Sequence, residues 1–245
     1  MNDLMRRDSR NFARLAARTG ASLFLLFSMV GIVGAEDEPA RQPPKTWQAT
    51  AFIRGDGIGI RIIDYWSRGS DMVARTLIQG RPITTIVSRG RYIVYDGVSG
   101  EGINIGRSSR AIAEDKRRIR PFAFEFEEMK AVGGEKIEDI RLGDRRGEIW
   151  QKSDAAGRQK LWVSVGMPQI PVRLETFDRK TMATVELDYQ NWIFDLEMPD
   201  RFFEAPGGIQ LETLEYDAYM KKTLEGPVGR VPILYPDLLH GERPS

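Results

Sequence analysis

The chain has 245 residues, 41% hydrophobic and 29% charged, with a formal net charge of +1: a globular composition, long enough for one large domain or two small ones. It contains no cysteine and one histidine, His240, which excludes disulfides, thiolate metal sites, cysteine nucleophiles, a lipid-modified cysteine and a multi-histidine metal site within one chain. The first 35 residues hold five arginines and two acids, so the remainder has a net charge of −2 and no general attraction for nucleic acid or anionic lipid.

The N-terminus is arginine-rich through Arg18, then runs uncharged and apolar from Ala21 to Val33, and offers the small pair Gly34-Ala35 before Glu36. That order reads as a secretory signal peptide over 1–35, cleaved near Ala35, and places the mature protein in the periplasm. The apolar run of 13 residues is short against the roughly 17 to 25 of a membrane span; an uncleaved anchor is the alternative. Arg6-Arg7 resembles a twin-arginine signal, but Ser9 stands where that pattern wants an apolar residue. Residues 36–46, charged and proline-rich, read as a linker.

From Trp47 to Ile105 short strand patterns alternate with turn signals. WQATAFIR, IGIRIIDYW, DMVARTLIQ, PITTIVS and RYIVYDG are divided by Gly55-Asp56-Gly57, Arg68-Gly69-Ser70, Gly80-Arg81-Pro82 and Arg89-Gly90. Strands at this spacing leave no room for crossover helices, which predicts an antiparallel meander. Met72, Ala74, Thr76 and Ile78 share one face, and Val73, Arg75 and Leu77 the other. Apolar residues thus lie on both faces, so neither is simply solvated.

At Ser108-Ser109 the pattern changes to a capped helix through Lys116. A second helix is expected from Pro121, with Phe122, Phe126 and Met129 at helical spacing and Gly133-Gly134 ending it. This insert, residues 109–131, is the expected lid or plug. Strands are expected again in KIEDIRL, RGEIWQKS, KLWVSV with PVRLETFDR, and TVELDYQNWIF; MPDRFFEAPGG reads as a closing turn and 210–222 as a short helix. One domain over 47–222 follows, with an extended proline-rich tail over 223–245.

The glycine-rich runs Gly55 to Gly59 and Gly97 to Gly102 lead into strand patterns and lack the lysine-serine/threonine ending of a phosphate loop, so they read as hairpin turns. The acids Glu125, Glu127 and Glu128, and Glu135, Glu138 and Asp139, lack calcium-loop spacing and read as solvated faces. Lys116-Arg117-Arg118 with Arg120 is the densest basic run after the signal; it suits a solvated helix end or lipid headgroups at a cavity mouth. No G-x-S-x-G elbow accompanies the single histidine. No catalytic residue, metal or cofactor is expected; an envelope hydrolase with a carboxylate mechanism is the enzymatic alternative.

Glu148 to Pro206 resembles the C-terminal half of the periplasmic lipoprotein-carrier superfamily, the LolA-like proteins. The resemblance lies in Leu161-Trp162-Val163, the proline turn and strand from Pro168 to Arg173, Val185 to Trp192 (VELDYQNW), and Pro199-Asp200 with Phe202 to Pro206. The region upstream, with Tyr95-Asp96-Gly97 and Arg110 to Phe122, fits more loosely. The proline-rich linker runs almost directly into Trp47, where family members usually have a long amphipathic helix. Arg61 and Arg75 are both placed to be the strand arginine that the carrier uses to hold its lid.

The resemblance implies a mainly β (α+β) fold: a curved antiparallel sheet forming an incomplete barrel around an apolar cavity, with a helical lid. The expected lining is Phe52, Trp66, Leu77, Ile86, Tyr92, Trp150 and Trp162 from the sheet, with Phe122, Phe126 and Met129 from the lid. It implies a monomeric carrier or sensor of a lipid, an acylated protein or another apolar ligand, with inner- or outer-membrane partner proteins and without catalysis. The alternative is an envelope protein-interaction module on the same fold.

Overall fold

The turn chemistry around the meander sets its pairing. Gln79 and Gly80 both have positive φ (52° and 77°), as do Arg89 and Gly90 (50° and 76°), the conformation of tight two-residue hairpin turns whose twist matches that of the strands. In the computed structural model, which describes residues 45–56, 59–118, 120–166 and 168–241, these turns join β3 (Asp71–Ile78) to β4 (Arg81–Ser88) and β4 to β5 (Arg91–Asp96), and a turn at Gly69 (φ 60°) joins β2 (Gly59–Arg68) to β3. With β1 (Thr46–Gly55) before them and β6 (Glu101–Gly106) after, they form one half of the sheet. In the turn after β5, the Asp96 carboxylate accepts the amides of Val98 (2.7 Å) and Ser99 (3.3 Å). The signal and nearly all of the linker lie outside the described residues.

The other half is β7 (Glu135–Leu142), β8 (Arg145–Ser153), β9 (Gly157–Val165), β10 (Ile170–Asp178) and β11 (Ala183–Phe194). β11 pairs with β1, so the two halves are one curved, unclosed twelve-stranded sheet in the order β12-β6-β5-β4-β3-β2-β1-β11-β10-β9-β8-β7. Its edges are β7 and β12 (Gln210–Leu214), and β12 runs parallel to β6 while the other pairs are antiparallel. Here the structure departs from the helix expected over 210–222. Gln210–Leu214 takes up the free edge of β6, and the helix α3 begins only at Tyr216 (Tyr216–Glu225).

The insert is two short helices, as expected, but the second starts later than Pro121. α1 (Ser109–Glu114) is capped by Ser108, whose hydroxyl accepts from the Ala111 amide, and α2 spans Glu125–Ala131. Ala123 has φ 57°, incompatible with a right-handed helix, so the segment expected to be helical from Pro121 stays irregular through Phe124. Residues 120–124 form a strap ahead of α2.

The two faces of the sheet bury different clusters. On one, here called inner, Trp47, Ala51, Ile63, Tyr65, Met72, Val94 and Ile103 pack with Phe122 of the strap and with Val231, Leu238 and Leu239 of the C-terminal segment. On the outer face, Val73, Ile86 and Tyr95 meet Met198 and Phe203, and Arg68 Nη1 donates to the Met198 carbonyl at 2.8 Å. A third cluster joins Phe126 and Met129 of α2 to Leu161 and Val163 of β9.

The C-terminal segment, expected to be extended, docks. Its last turn forms α4 (Pro236–His240), with Leu238 and Leu239 fully buried. Arg107, itself buried, donates to the Leu238 carbonyl at 2.6 Å and grips Asp115 through two hydrogen bonds of 2.7 and 2.8 Å. The Ser108 amide donates to the Leu239 carbonyl and the Ser108 hydroxyl to the His240 carbonyl. The reason is elementary: the inner faces of β3 to β6 are apolar, and the tail's leucines remove that surface from water.

Candidate ligand-binding site

The inner face is richest in aromatic rings where β1, β2 and β11 lie side by side. Trp47 and Tyr65 alternate inward from β1 and β2. On β11, Asn191 (φ 55°) and the register shift opposite Gln48 and Thr50 bring Tyr189 and Trp192 to the same face despite their odd spacing. The strap lies across these rings. Phe122 stacks on Tyr65 (centroids 4.8 Å apart, planes 14° from parallel) and on Trp192 (6.1 Å, 22°). Trp47 meets Trp192 and Phe194 edge-on at 6.1 and 5.1 Å.

Two ionisable side chains are enclosed there. Arg120 is 0% exposed; its Nη2 donates to the Ala123 carbonyl within the strap, and its guanidinium lies 4.5 Å from the Trp47 ring and 5.5 Å from that of Trp192. Glu125 accepts a 2.8 Å hydrogen bond from the Tyr189 hydroxyl through Oε1, while its Oε2 is sealed from solvent. Burial pushes the Glu125 carboxyl above its ordinary range and the Arg120 guanidinium below its own; the charges of Glu127 and Glu125 oppose the latter only in part. The hydroxyls of Tyr65, Tyr92, Tyr189 and Tyr235 are all pushed up, chiefly by burial, and stay neutral. Tyr235 ties the C-terminal segment down here: its amide donates to the Tyr92 hydroxyl and its hydroxyl to Tyr65, both at 3.2 Å.

The expected lining residues fall in separate places. Tyr92 and Phe122 lie in the inner cluster. Phe126, Met129 and Trp150 form the neighbouring cluster under α2, where the Phe126 and Trp150 rings meet at 5.3 Å. Trp66 and Ile86 belong to the outer face with Phe202 and Phe203. Phe52 pairs with Ile62 across β1 and β2, next to Leu77, which is 66% exposed. Trp162 lies beside Lys160 and Arg173, 4.9 and 5.3 Å from its ring. Strand parity decides this: Ala51 and Ile53 point inward, so Phe52 points outward. By the same rule Arg61, opposite Ile53, is inward, while Arg75 is outward, 5.2 Å from the Trp66 ring.

Two readings of charge are corrected. Arg120 belongs to no solvated helix end, and Glu125 to no solvated helix face; Arg120 lies against the Trp47 and Trp192 rings and Glu125 accepts from the Tyr189 hydroxyl. Trp47, Tyr65, Tyr189 and Trp192 carry the site and were absent from the expected lining. Their sequence signal is faint: each is one more large residue in an alternating strand. The ≈ 420 Å³ cleft between β6, β12 and residues 229–231 is elsewhere and is lined by Glu101, Glu212 and Arg230 among others.

No family model matches the chain, and no curated protein does. Several solved structures are similar to it. A conserved uncharacterized protein from Thermus thermophilus has a TM-score of 0.48 at 11% identity, over 70% of this chain and 91% of that one. A LolA superfamily protein from Nitrosomonas europaea has 0.33 at 13%, over 67% and 92%. MucB in the MucA/MucB complex of Pseudomonas aeruginosa has 0.43 at 13%, over 69% of this chain and 58% of that one. LolA superfamily proteins and outer membrane lipoprotein-sorting domains are thus among the structural neighbours.

Proposed function

We propose that the chain works in the periplasm, after removal of residues 1–35, as a non-catalytic carrier or sensor that takes a lipid, an acyl chain or another apolar ligand on its inner face. The observation that carries this reading is the strap: an aromatic face is closed at β1, β2 and β11 by irregular residues 120–124, whose Ala123 holds a left-handed backbone (φ 57°). That conformation costs a non-glycine residue about 1–2 kcal/mol, and a segment with few backbone hydrogen bonds opens at low free energy. Against that, releasing Phe122 costs about 1.5–3 kcal/mol. A methylene is worth about 0.8 kcal/mol and micromolar capture needs about 8 kcal/mol. A chain of roughly fourteen carbons therefore covers both. Trp47, Tyr65, Tyr189 and Trp192 line the face once Phe122 leaves it, with Phe126, Met129 and Trp150 as the adjoining wall and Tyr92 beyond them under the C-terminal segment. His240 is engaged structurally, its Nδ1 3.0 Å from the Tyr216 hydroxyl.

Native mass spectrometry of protein purified from the cell envelope, followed by lipid extraction, tests the reading, together with uptake of an environment-sensitive apolar dye by folded protein. Co-purifying lipid or saturable dye uptake is expected; folded protein that shows neither overturns it. N-terminal sequencing should begin at or beside Glu36, and Met1 there makes the leader an anchor. A second reading, a protein-interaction module, is favoured by Ile62 and Leu77, which lie close together across β2 and β3 on the outer side at 49% and 66% exposure. It takes precedence if the inner face binds nothing apolar.

A further inference from the structure

The unpaired polar atoms around the strap say what sort of apolar molecule the face would take. Nε and Nη1 of Arg120 are buried without an acceptor, and so are the indole nitrogens of Trp47 and Trp192, the two rings against which that guanidinium lies. Against these four nitrogen donors, the unpaired buried oxygens of the inner face among the described residues are Glu125 Oε2 beside the strap and the hydroxyls of Ser67, opposite Trp47, and Thr85, which donate as well as accept. Buried donors are ordinarily satisfied, and a fully enclosed guanidinium with two idle nitrogens is a rare and unfavourable arrangement. A group rich in acceptor oxygens and negative charge would complete it. A cation or a neutral alcohol would leave most of the donors idle.

We infer that the inner face binds an anionic amphiphile, a carboxylate or phosphate head on an apolar chain, with the head held by the Arg120 guanidinium and the indole N–H groups of Trp47 and Trp192 and the chain in the place of Phe122. The inference rests on the apolar-ligand reading above and adds the head group to it. Arg120 suits the task because its planar fork matches two oxygens of one head. The same geometry makes the strap responsive: the residue that recognises the head is two positions from Phe122, so engaging the head and vacating the ring stack occur in one segment. The pressure that burial puts on the Arg120 charge runs in the same direction, since an arriving anion relieves it.

The test is calorimetric titration of the folded, leader-free protein with four twelve-carbon amphiphiles below their micellar concentrations: dodecanoate, dodecyl phosphate, dodecanol and dodecyltrimethylammonium. At least one anionic head is expected to bind about tenfold or more tighter than dodecanol, with the ammonium weakest; the ratio between dodecanoate and dodecyl phosphate tells a carboxylate site from a phosphate site. Arg120→Met should abolish the preference, bringing the anionic heads to the level of dodecanol on the same variant, and Arg120→Lys should retain part of it. Equal binding of anionic and neutral chains overturns the inference and leaves the apolar-ligand reading standing. Binding of none overturns both. The comparison of heads on the unmodified protein decides the matter even where a variant fails to fold.

Discussion

Phe122 lies flat on Tyr65, with ring centroids 4.8 Å apart and planes 14° from parallel, and so is the point at which the strap is fastened to β2. On either side the chain is held differently: Arg107 and Asp115 lock α1 to the C-terminal segment, and Phe126 and Met129 seat α2 on β9. The stretch between is held by the Phe122 ring stack and the Arg120–Ala123 hydrogen bond, and the sites differ in what their loss should do.

Phe122→Ala should expose the aromatic face without unseating either helix, raising apolar-dye uptake several-fold and speeding hydrogen exchange in 120–124. Phe126→Ala should instead cost about 3–5 kcal/mol, as core phenylalanines do, and leave the strap's exchange nearly unchanged. Denaturant melts beside exchange mass spectrometry separate the two; a larger global loss for Phe122→Ala would make the strap part of the core.

Arg120→Met should not destabilise the fold. The desolvated guanidinium gains about 2 kcal/mol from each ring it lies against, but replacing a poorly compensated buried charge with an apolar side chain of similar size is typically neutral or stabilising by about 1–4 kcal/mol. An unchanged or higher melting temperature is the expected result. A drop of several kcal/mol would show that the cation–ring contacts outweigh the burial.

The Glu125 carboxyl is raised above its ordinary 4.5, burial being the largest cause and outweighing the Tyr189 hydrogen bond. A raised folded-state value means that the protonated carboxyl favours the fold: the contribution is fully present below about 4.5 and is lost as pH climbs through the folded value. Glu125→Gln, which keeps an acceptor for Tyr189, removes that dependence. The variant should therefore gain on the native protein as pH rises from about 4 towards 8, read as a widening gap in melting temperature. A gap independent of pH would show that Glu125 does not titrate in that window.

Leu239→Ala should cost about 2–5 kcal/mol, the range for a leucine in a closed core, because Leu239 is 0% exposed beneath α1 and the sheet. Truncation before Val231 should lower stability further, since it also removes the Arg107 and Ser108 partners in α4. A tail that could be cut away without loss would be an appendage, and a melting curve of each variant is sufficient to decide.

The meander was legible because its information is local. Gly69, Gly80 and Gly90 mark the turns, the strands between them alternate, and Ser108 announces α1 by a cap that needs no distant partner. What resisted reading depends on contacts far along the chain. Met72 and Ala74 on one side of β3 are no more apolar than Val73 and Leu77 on the other, so the composition of a strand does not say which face the strap will cover. QLETL carries a pattern compatible with the helix that follows it, and becomes β12 because β6, more than a hundred residues earlier, offers a free edge. Nothing within Lys116 to Arg120 distinguishes the buried arginine from its basic neighbours; the rings that enclose it, Trp47 and Trp192, come from opposite ends of the domain.

An unclosed sheet must also avoid joining others of its kind. β7 is the longer free margin, eight residues paired on one side alone, and it is exposed along most of its length. Its sequence sets Glu135, Lys136, Glu138, Asp139 and Arg141 along that margin, so a second copy approaching strand to strand would have to strip water from charges of both signs. The other margin, β12, is five residues long and offers little to template on. The open sheet thus keeps both margins without becoming a seed for fibrous self-association, and neutralising the charges of β7 should be the shortest route to making it one.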